Sequence, residues 1–404
     1  MAGGVPAPVS QSGAGSSVSL TAPPPLAIYV HLPWCIRKCP YCDFNSHQLP
    51  TDDLPEHEYI DALISDLDHS LPSIWGRTVQ TIFIGGGTPS LFTPDSIDRL
   101  LGAIRARVRL NADAEITLEA NPGTFEQARF EGFAQAGVNR LSLGVQSFND
   151  EHLRRLGRVH DAKSAHAAAQ MAGQAFKTFN LDLMYALPGQ SIDQLHQDLQ
   201  AAFSHSPPHL SCYHLTMEPN TAFAVNPPTD LPDDDLAADM ADAVVAATQS
   251  NGLDRYEVSA FARQNHRSRH NLNYWQFGDY LGLGAGAHSK LSSHQGIMRE
   301  TRVRHPAQYL KAVANGEVVH QRRMLEPNDL PFEFMLNALR LVEGVPVSLF
   351  SERCGLDPAV MMPIVQQAWR DGLLTADPTR FQPTDKGFAF LNELQVRFLA
   401  DSAS

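Results

Sequence analysis

The stretch LAIYVHLPWCIRKCPYCDFN, residues 26–45, joins a β-branched and aromatic run to three cysteines in a C-x3-C-x2-C pattern, Cys35, Cys39 and Cys42. The run reads as a strand and the cysteines as the loop at its C-terminal end. The same texture recurs downstream. VQTIFIG (79–85), EITLEA (115–120), NRLSLGV (139–145), KTFNLDLM (177–184), HLSCYHLTM (209–217) and DRYEVSAF (254–261) are further strand candidates. Longer helical patterns separate them. In HEYIDALISDLDHSL, Tyr59, Leu63, Leu67 and Leu71 recur every fourth residue and predict one buried stripe. Thr93 followed by Pro94 supplies an N-cap and a first helical position for TPDSIDRLLGAI. Strand and helix alternating at this spacing predict an α/β fold with a parallel sheet, a barrel or open barrel over residues 26–261.

The flanks differ from that core. Residues 1–25 hold no charge and lack both the basic and the apolar segment of a signal peptide, so they read as a disordered tail and leave the cytoplasm as the expected location. No stretch is apolar for long enough to span a membrane. Residues 262–325 carry a polar helix candidate and the glycine-dense GDYLGLGAGAHS, and read as a separate linking region. From residue 326 to 404 helical patterns followed by a short strand pair predict a smaller, winged-helix-like C-terminal domain. Such modules often bind DNA, but this one holds six Lys and Arg against eleven Asp and Glu, and the whole chain has a net charge of −13. Phosphate would be repelled on average, so nucleic acid is not an expected partner and a DNA-binding regulator is disfavoured.

Five cysteines, an odd number with three inside eight residues, do not make a disulfide framework. In a reducing compartment Cys35, Cys39 and Cys42 suit three corners of a [4Fe-4S] cubane, with the fourth iron left open to a ligand. A zinc knuckle completed by His31 or His47 is the alternative. Cys212 and Cys354 read as small buried apolar residues.

With GGGTPS, EANPGT, GVQSFNDEHLRRLGR, DLMYALPGQ and HNLNYW following in order, the cysteine motif resembles the radical S-adenosylmethionine (SAM) superfamily. Within it the chain is similar to the oxygen-independent coproporphyrinogen III oxidase family, and most to its haem-chaperone branch, from about residue 26 to the C-terminus. The resemblance implies an incomplete parallel (β/α)6-type radical SAM barrel, a [4Fe-4S] cluster on Cys35, Cys39 and Cys42, and SAM at the open iron. It further implies cofactor contacts at Tyr29, Tyr41, Gly86, Gly87, Thr88, Glu119, Gln146, Arg158 and Asp182. The residue chemistry agrees: glycines admit a close backbone approach, carboxylates suit ribose hydroxyls, and a guanidinium clamps a carboxylate.

Two departures separate the chain from the oxidase. Phe44 stands where the oxidase has a further cysteine, and the N-terminal arm is only a charge-free tail. HNLNYW, residues 270–275, matches a haem-linked motif of the chaperone branch, with His270 as the expected iron ligand and His266 or His288 as substitutes. Haem, haem-accepting proteins and a reducing donor such as a flavodoxin are then the implied partners. The alternative is the oxidase reaction, in which an electron from the reduced cluster splits SAM and the resulting 5′-deoxyadenosyl radical takes hydrogen from a propionate that then loses carbon dioxide.

Overall fold

The computed structural model describes residues 18–49, 54–123 and 126–400. Residues 1–17 of the expected tail lie outside that range. The described residues include a sheet of twelve strands: β1 (Leu26–Leu32), β2 (Thr78–Gly86), β3 (Arg109–Ala120), β4 (Arg140–Gln146), β5 (Thr178–Tyr185), β6 (His209–His214), β7 (Asp254–Arg255), β8 (Ala260–Ala262), β9 (Asp279–Leu283), β10 (His288–Ser293), β11 (Gly296–Arg302) and β12 (Val319–Met324). Their spatial order is β12-β11-β10-β9-β1-β2-β3-β4-β5-β6-β8-β7.

Strands β1 to β6 run parallel in chain order. Crossover helices pack on their outer side, among them Glu56–Ile74, Pro94–Arg107, Ala162–Ala175 and Ile192–Ser204. Tyr59, Leu63 and Leu67 are the buried stripe expected of the first helix. Thr93 caps the second by accepting from the Ser96 amide. Strands covered on both faces read as nearly continuous apolar runs, and β1 is buried at every residue but Tyr29. Tyr29 stands in register with Phe83, and Glu119 with Ser142, so each pair shares a face of the sheet. The expected seventh strand, 254–261, is instead two short antiparallel strands, β7 and β8, because the intervening residues form a turn.

Residues 262–325 are not a separate linker. They supply β9, which lies parallel to β1 from Leu26↔Asp279 to Val30↔Leu283, and the antiparallel strands β10 to β12. The free edge of β1 requires a partner, and β9 satisfies its backbone groups. Buried charge ties this extension to the barrel. Asp66 of the first helix, fully buried, accepts from Arg302 Nε at 3.1 Å and from the Tyr309 hydroxyl at 2.8 Å. Asp279 pairs with Lys290 at 2.9 Å and with Arg77 at 2.8 Å.

Residues 18–25 depart from the disordered tail expected there. The Ser19 amide donates to the Gly355 carbonyl, Arg77 donates to the Pro24 carbonyl at 2.6 Å, and Val18 packs against the C-terminal core. That core contains helices Leu330–Ala338, Ser348–Cys354 and Met362–Arg370 and a two-residue strand pair, Val345–Pro346 with Arg380–Phe381. Phe277 and Ile297 reach into it from the extension, so the boundary at 325 is not a clean one. Cys212 and Cys354 are both buried in apolar surroundings, as expected.

Candidate cluster and cofactor site

The cysteine loop leaves the C-terminal end of β1 and is closed by a short parallel pairing of Trp34–Cys35 with His47–Gln48. His31 holds it from below, with Nε2 against the Asn45 carbonyl and Nδ1 against the Tyr29 hydroxyl, both at 2.9 Å. Asn45 in turn donates to the carbonyls of Ala285 and Arg304 on the extension. Burial depresses the His31 pKa to about 4, opposed by its bond to Asn45. Since both nitrogens of His31 are engaged, it does not complete a zinc knuckle, and His47 Nε2 already meets Asn45 Oδ1 at 3.3 Å. Among the described residues no three His, Cys, Asp or Glu side chains close around a single ion. Cys35, Cys39 and Cys42 are half-buried and free of disulfides. Burial pushes the Cys35 thiol up to about 11, against a hydrogen bond from Thr88 that lowers it. Three thiols spread over one short loop fit the separate corners of a cubane better than one ion.

The end of β2 packs directly on this loop. Gly87 donates to the Leu32 carbonyl at 2.8 Å and Thr88 to the Trp34 carbonyl at 2.7 Å. Gly86 has φ +121°, and a Cβ on Gly87 would sit 2.5 Å from the Trp34 oxygen. The sequence expectation that Gly87 makes room for a ligand therefore needs correction, because the crowding is with the cysteine loop itself.

Glu119, at the end of β3, accepts from the Gly86 amide at 3.0 Å. Burial and then the Asp182 carboxylate raise its pKa to about 7. Asp182 of β5 accepts from Ser142 at 3.1 Å and Asn180 at 2.7 Å, and burial outweighs these bonds to raise its pKa as well. Gln146 ends β4 at φ +70°, a left-handed conformation costly for a side-chain-bearing residue. Arg158 brings Nη1 to 3.6 Å from Cys39 Sγ and Nη2 to 2.7 Å from the Gly144 carbonyl, while its buried Nε has no partner. A guanidinium beside a thiol of the cysteine loop, on a residue that lines a cavity, fits an anionic ligand at this spot. Asn121, which sequence reasoning passed over, links Thr88 to Arg158 by donating to one and accepting from the other. Its signal was its place in EANPGT, two residues after Glu119. Tyr41 packs against Phe223 beside Arg158.

Two cavities flank the loop. One, of about 640 Å³, is lined by Cys39, Thr88, Asn121 and Arg158 among others. The other, of about 710 Å³, runs from Tyr29, Gly86 and Glu119 past Phe44 to the extension. The expected SAM-contact residues are thus divided between two spaces, and Tyr41, Gly87, Gln146 and Asp182 line neither.

His270 lies on the helix Arg269–Trp275, capped by Ser268. It is fully buried, with Nδ1 against Thr81 Oγ1 at 2.8 Å and Nε2 against the Tyr274 hydroxyl at 2.9 Å. Burial lowers its pKa to about 3. Both nitrogens are occupied, so His270 presents no open coordination site, contrary to the sequence expectation. Tyr274 and Trp275 of the same motif do line the larger cavity.

A radical SAM superfamily model matches residues 29–202 and a HemN C-terminal domain model matches residues 325–390. The chain is 47% identical over 380 residues to the heme chaperone HemW of Escherichia coli, covering 94% of this chain and 99% of that protein. It is 32% identical to the heme chaperone HemW of Bacillus subtilis, covering 92% and 99%. It is 40% identical to the mouse radical S-adenosyl methionine domain-containing protein 1, mitochondrial, covering 71% of this chain and 66% of that one. Among solved structures, the coproporphyrinogen III oxidase HemN of Escherichia coli superposes with a TM-score of 0.79 at 26% identity, covering 93% of this chain and 90% of that chain. No helix among the described residues is long and apolar enough to cross a membrane. With relatives this similar over nearly its whole length, the chain belongs to the radical SAM superfamily and, within it, to the HemW family.

Proposed function

We propose that this protein is a haem chaperone that binds haem in the larger cavity, carries a [4Fe-4S] cluster with SAM, and passes haem to acceptor proteins in the cytoplasm. Cys35, Cys39 and Cys42 would hold the cluster. Gly86, Gly87 and Thr88 shape the SAM pocket through their fit against the cysteine loop. Glu119 and Asp182 offer acceptors to the ribose hydroxyls or the amino group, Gln146 adds a polar amide, and Arg158 offers its guanidinium charge to the methionine carboxylate. Tyr29 lies below the loop, bonded to His31, and Tyr41 stands within it between Cys39 and Cys42. A cluster with bound SAM supplies one-electron chemistry, for which a flavodoxin-type donor would provide the electron.

The observation that carries the haem reading is the cavity of about 710 Å³ joining the barrel mouth to Tyr274 and Trp275 of HNLNYW. Phe44, 60% exposed, stands on the same cavity and offers an aromatic face to a flat macrocycle where the oxidase pattern has a thiol. To test it, the anaerobically reconstituted protein is loaded with haem and mixed with an apo haem protein. Transfer of the Soret absorbance to the acceptor supports the chaperone, and a chain that takes up no haem rules it out.

A further inference from the structure

The antiparallel extension turns one face toward the larger cavity. In the β9–β10–β11–β12 registers Tyr280 stands opposite Lys290, Lys290 opposite Arg299, His288 opposite Thr301 and Thr301 opposite Gln321. Residues opposite one another, or two apart, share a face of a sheet, and all of these line the cavity. Most polar groups on that face are already used. Lys290 is paired with Asp279, and Arg299 donates to the Tyr280 hydroxyl and to Glu333.

Several groups on residues lining the cavity have no side-chain partner among the described residues. The Thr301 hydroxyl and the Trp275 indole nitrogen are buried without a partner, on residues that both line the cavity. Both atoms are closed to solvent and stand behind the cavity wall, so the groups open to a ligand are the exposed ones. His288 is exposed at the start of β10 and makes no side-chain hydrogen bond among the described residues. Arg304, on the same cavity, makes no ion pair among the described residues.

We propose that His288 is the axial ligand of haem iron in this cavity, and that Arg304 pairs with a haem carboxylate. The proposal rests on the haem-binding reading above and refines it by moving the ligand off His270. An imidazole with a free lone pair at an open wall can reach an iron, whereas one bonded at both nitrogens inside the barrel cannot without breaking those bonds. Arg304 supplies the cation that a macrocycle with two carboxylates requires at its edge.

The full-length reconstituted chain is titrated with ferric haem and followed by its Soret band, with cluster absorbance as the control for folding. His288→Ala should shift the Soret band and weaken binding by about tenfold or more, added imidazole should restore the band, and His266→Ala, at a residue bonded to Thr178 outside the cavity, should match the parent. Arg304→Ala should weaken haem by about tenfold but leave haem dimethyl ester, which lacks the carboxylates, unchanged. A parent-like Soret band in His288→Ala, or its loss instead in His320→Ala, at the other exposed histidine lining this cavity, overturns the ligand. Equal losses for haem and its ester in Arg304→Ala overturn the carboxylate contact. A parent chain that binds no haem removes the chaperone reading itself, so the two failures are told apart.

Discussion

At the cysteine end of the parallel sheet the contacts are backbone ones: Gly87 and Thr88 hang from the Leu32 and Trp34 carbonyls at 2.8 and 2.7 Å. Beyond the β1–β9 pairing, the side-chain ties of the antiparallel extension to the barrel are buried charges, Asp66 with Arg302 and Asp279 with Arg77, and Lys290 backs Asp279 from within the extension. A backbone cradle tolerates no added atom but carries little net charge, so it can position a cluster and a charged cofactor without competing for them. Buried ion pairs contribute little net stability when intact, yet breaking one strands a desolvated charge. The two regions should therefore fail in different ways, one losing cofactor and the other losing fold.

The largest contrast is in cluster content. Cys35→Ala, Cys39→Ala or Cys42→Ala should lose nearly all iron and sulfide after anaerobic reconstitution, while Cys212→Ala and Cys354→Ala retain them. Full content in Cys39→Ala would break the assignment. Next is stability. Asp66→Ala leaves Arg302 buried without its partner and should cost about 3–5 kcal/mol in denaturant unfolding. A loss within a few tenths of a kcal/mol would show that the extension is not held by that charge.

How far these regions could be read beforehand follows the same division. The parallel strands announce themselves because burial on both faces makes them apolar runs between amphipathic helices, and the cysteines stand at a strand end where function concentrates. The extension was hidden. HSKLSS and VHQRRM carry polar residues throughout, and pairing with the edge of β1 is a tertiary fact with no local signature. A Lys or Arg is ordinarily a surface charge, yet the side chains of Lys290 and Arg302 are only 1% and 2% exposed because the fold brings a buried acid to each. His270 misled for a related reason. Its motif was visible, but the partners on both ring nitrogens, Thr81 in β2 and Tyr274 one turn along its helix, depend on the folded geometry.

Two smaller effects sharpen the account of the cradle. Gly87→Val pushes a side chain onto the Trp34 carbonyl, so it should lower cluster yield and SAM affinity together. Normal cluster yield with SAM binding lost would return the crowding to the ligand. Glu119, with its pKa raised to about 7 by burial and Asp182, is mostly protonated at pH 6 and mostly ionised at pH 8. If SAM donates to the ionised form, its affinity should rise about tenfold across that interval, the ratio set by the ionised fractions. Tyr29, Tyr213 and Tyr274 nearby are held neutral by burial and do not titrate there. Calorimetry at several pH values on the parent and on Glu119→Gln checks it, and an equally steep dependence in the variant would place the titrating group elsewhere.

The central claim is that the SAM-binding barrel serves haem delivery rather than porphyrinogen decarboxylation. Reconstituted protein is given SAM, an electron donor and coproporphyrinogen III without oxygen, and a parallel sample is given haem and an apo acceptor. Haem transfer with no accumulation of the doubly decarboxylated product is the expected result, and repeated turnover to protoporphyrinogen IX would contradict it.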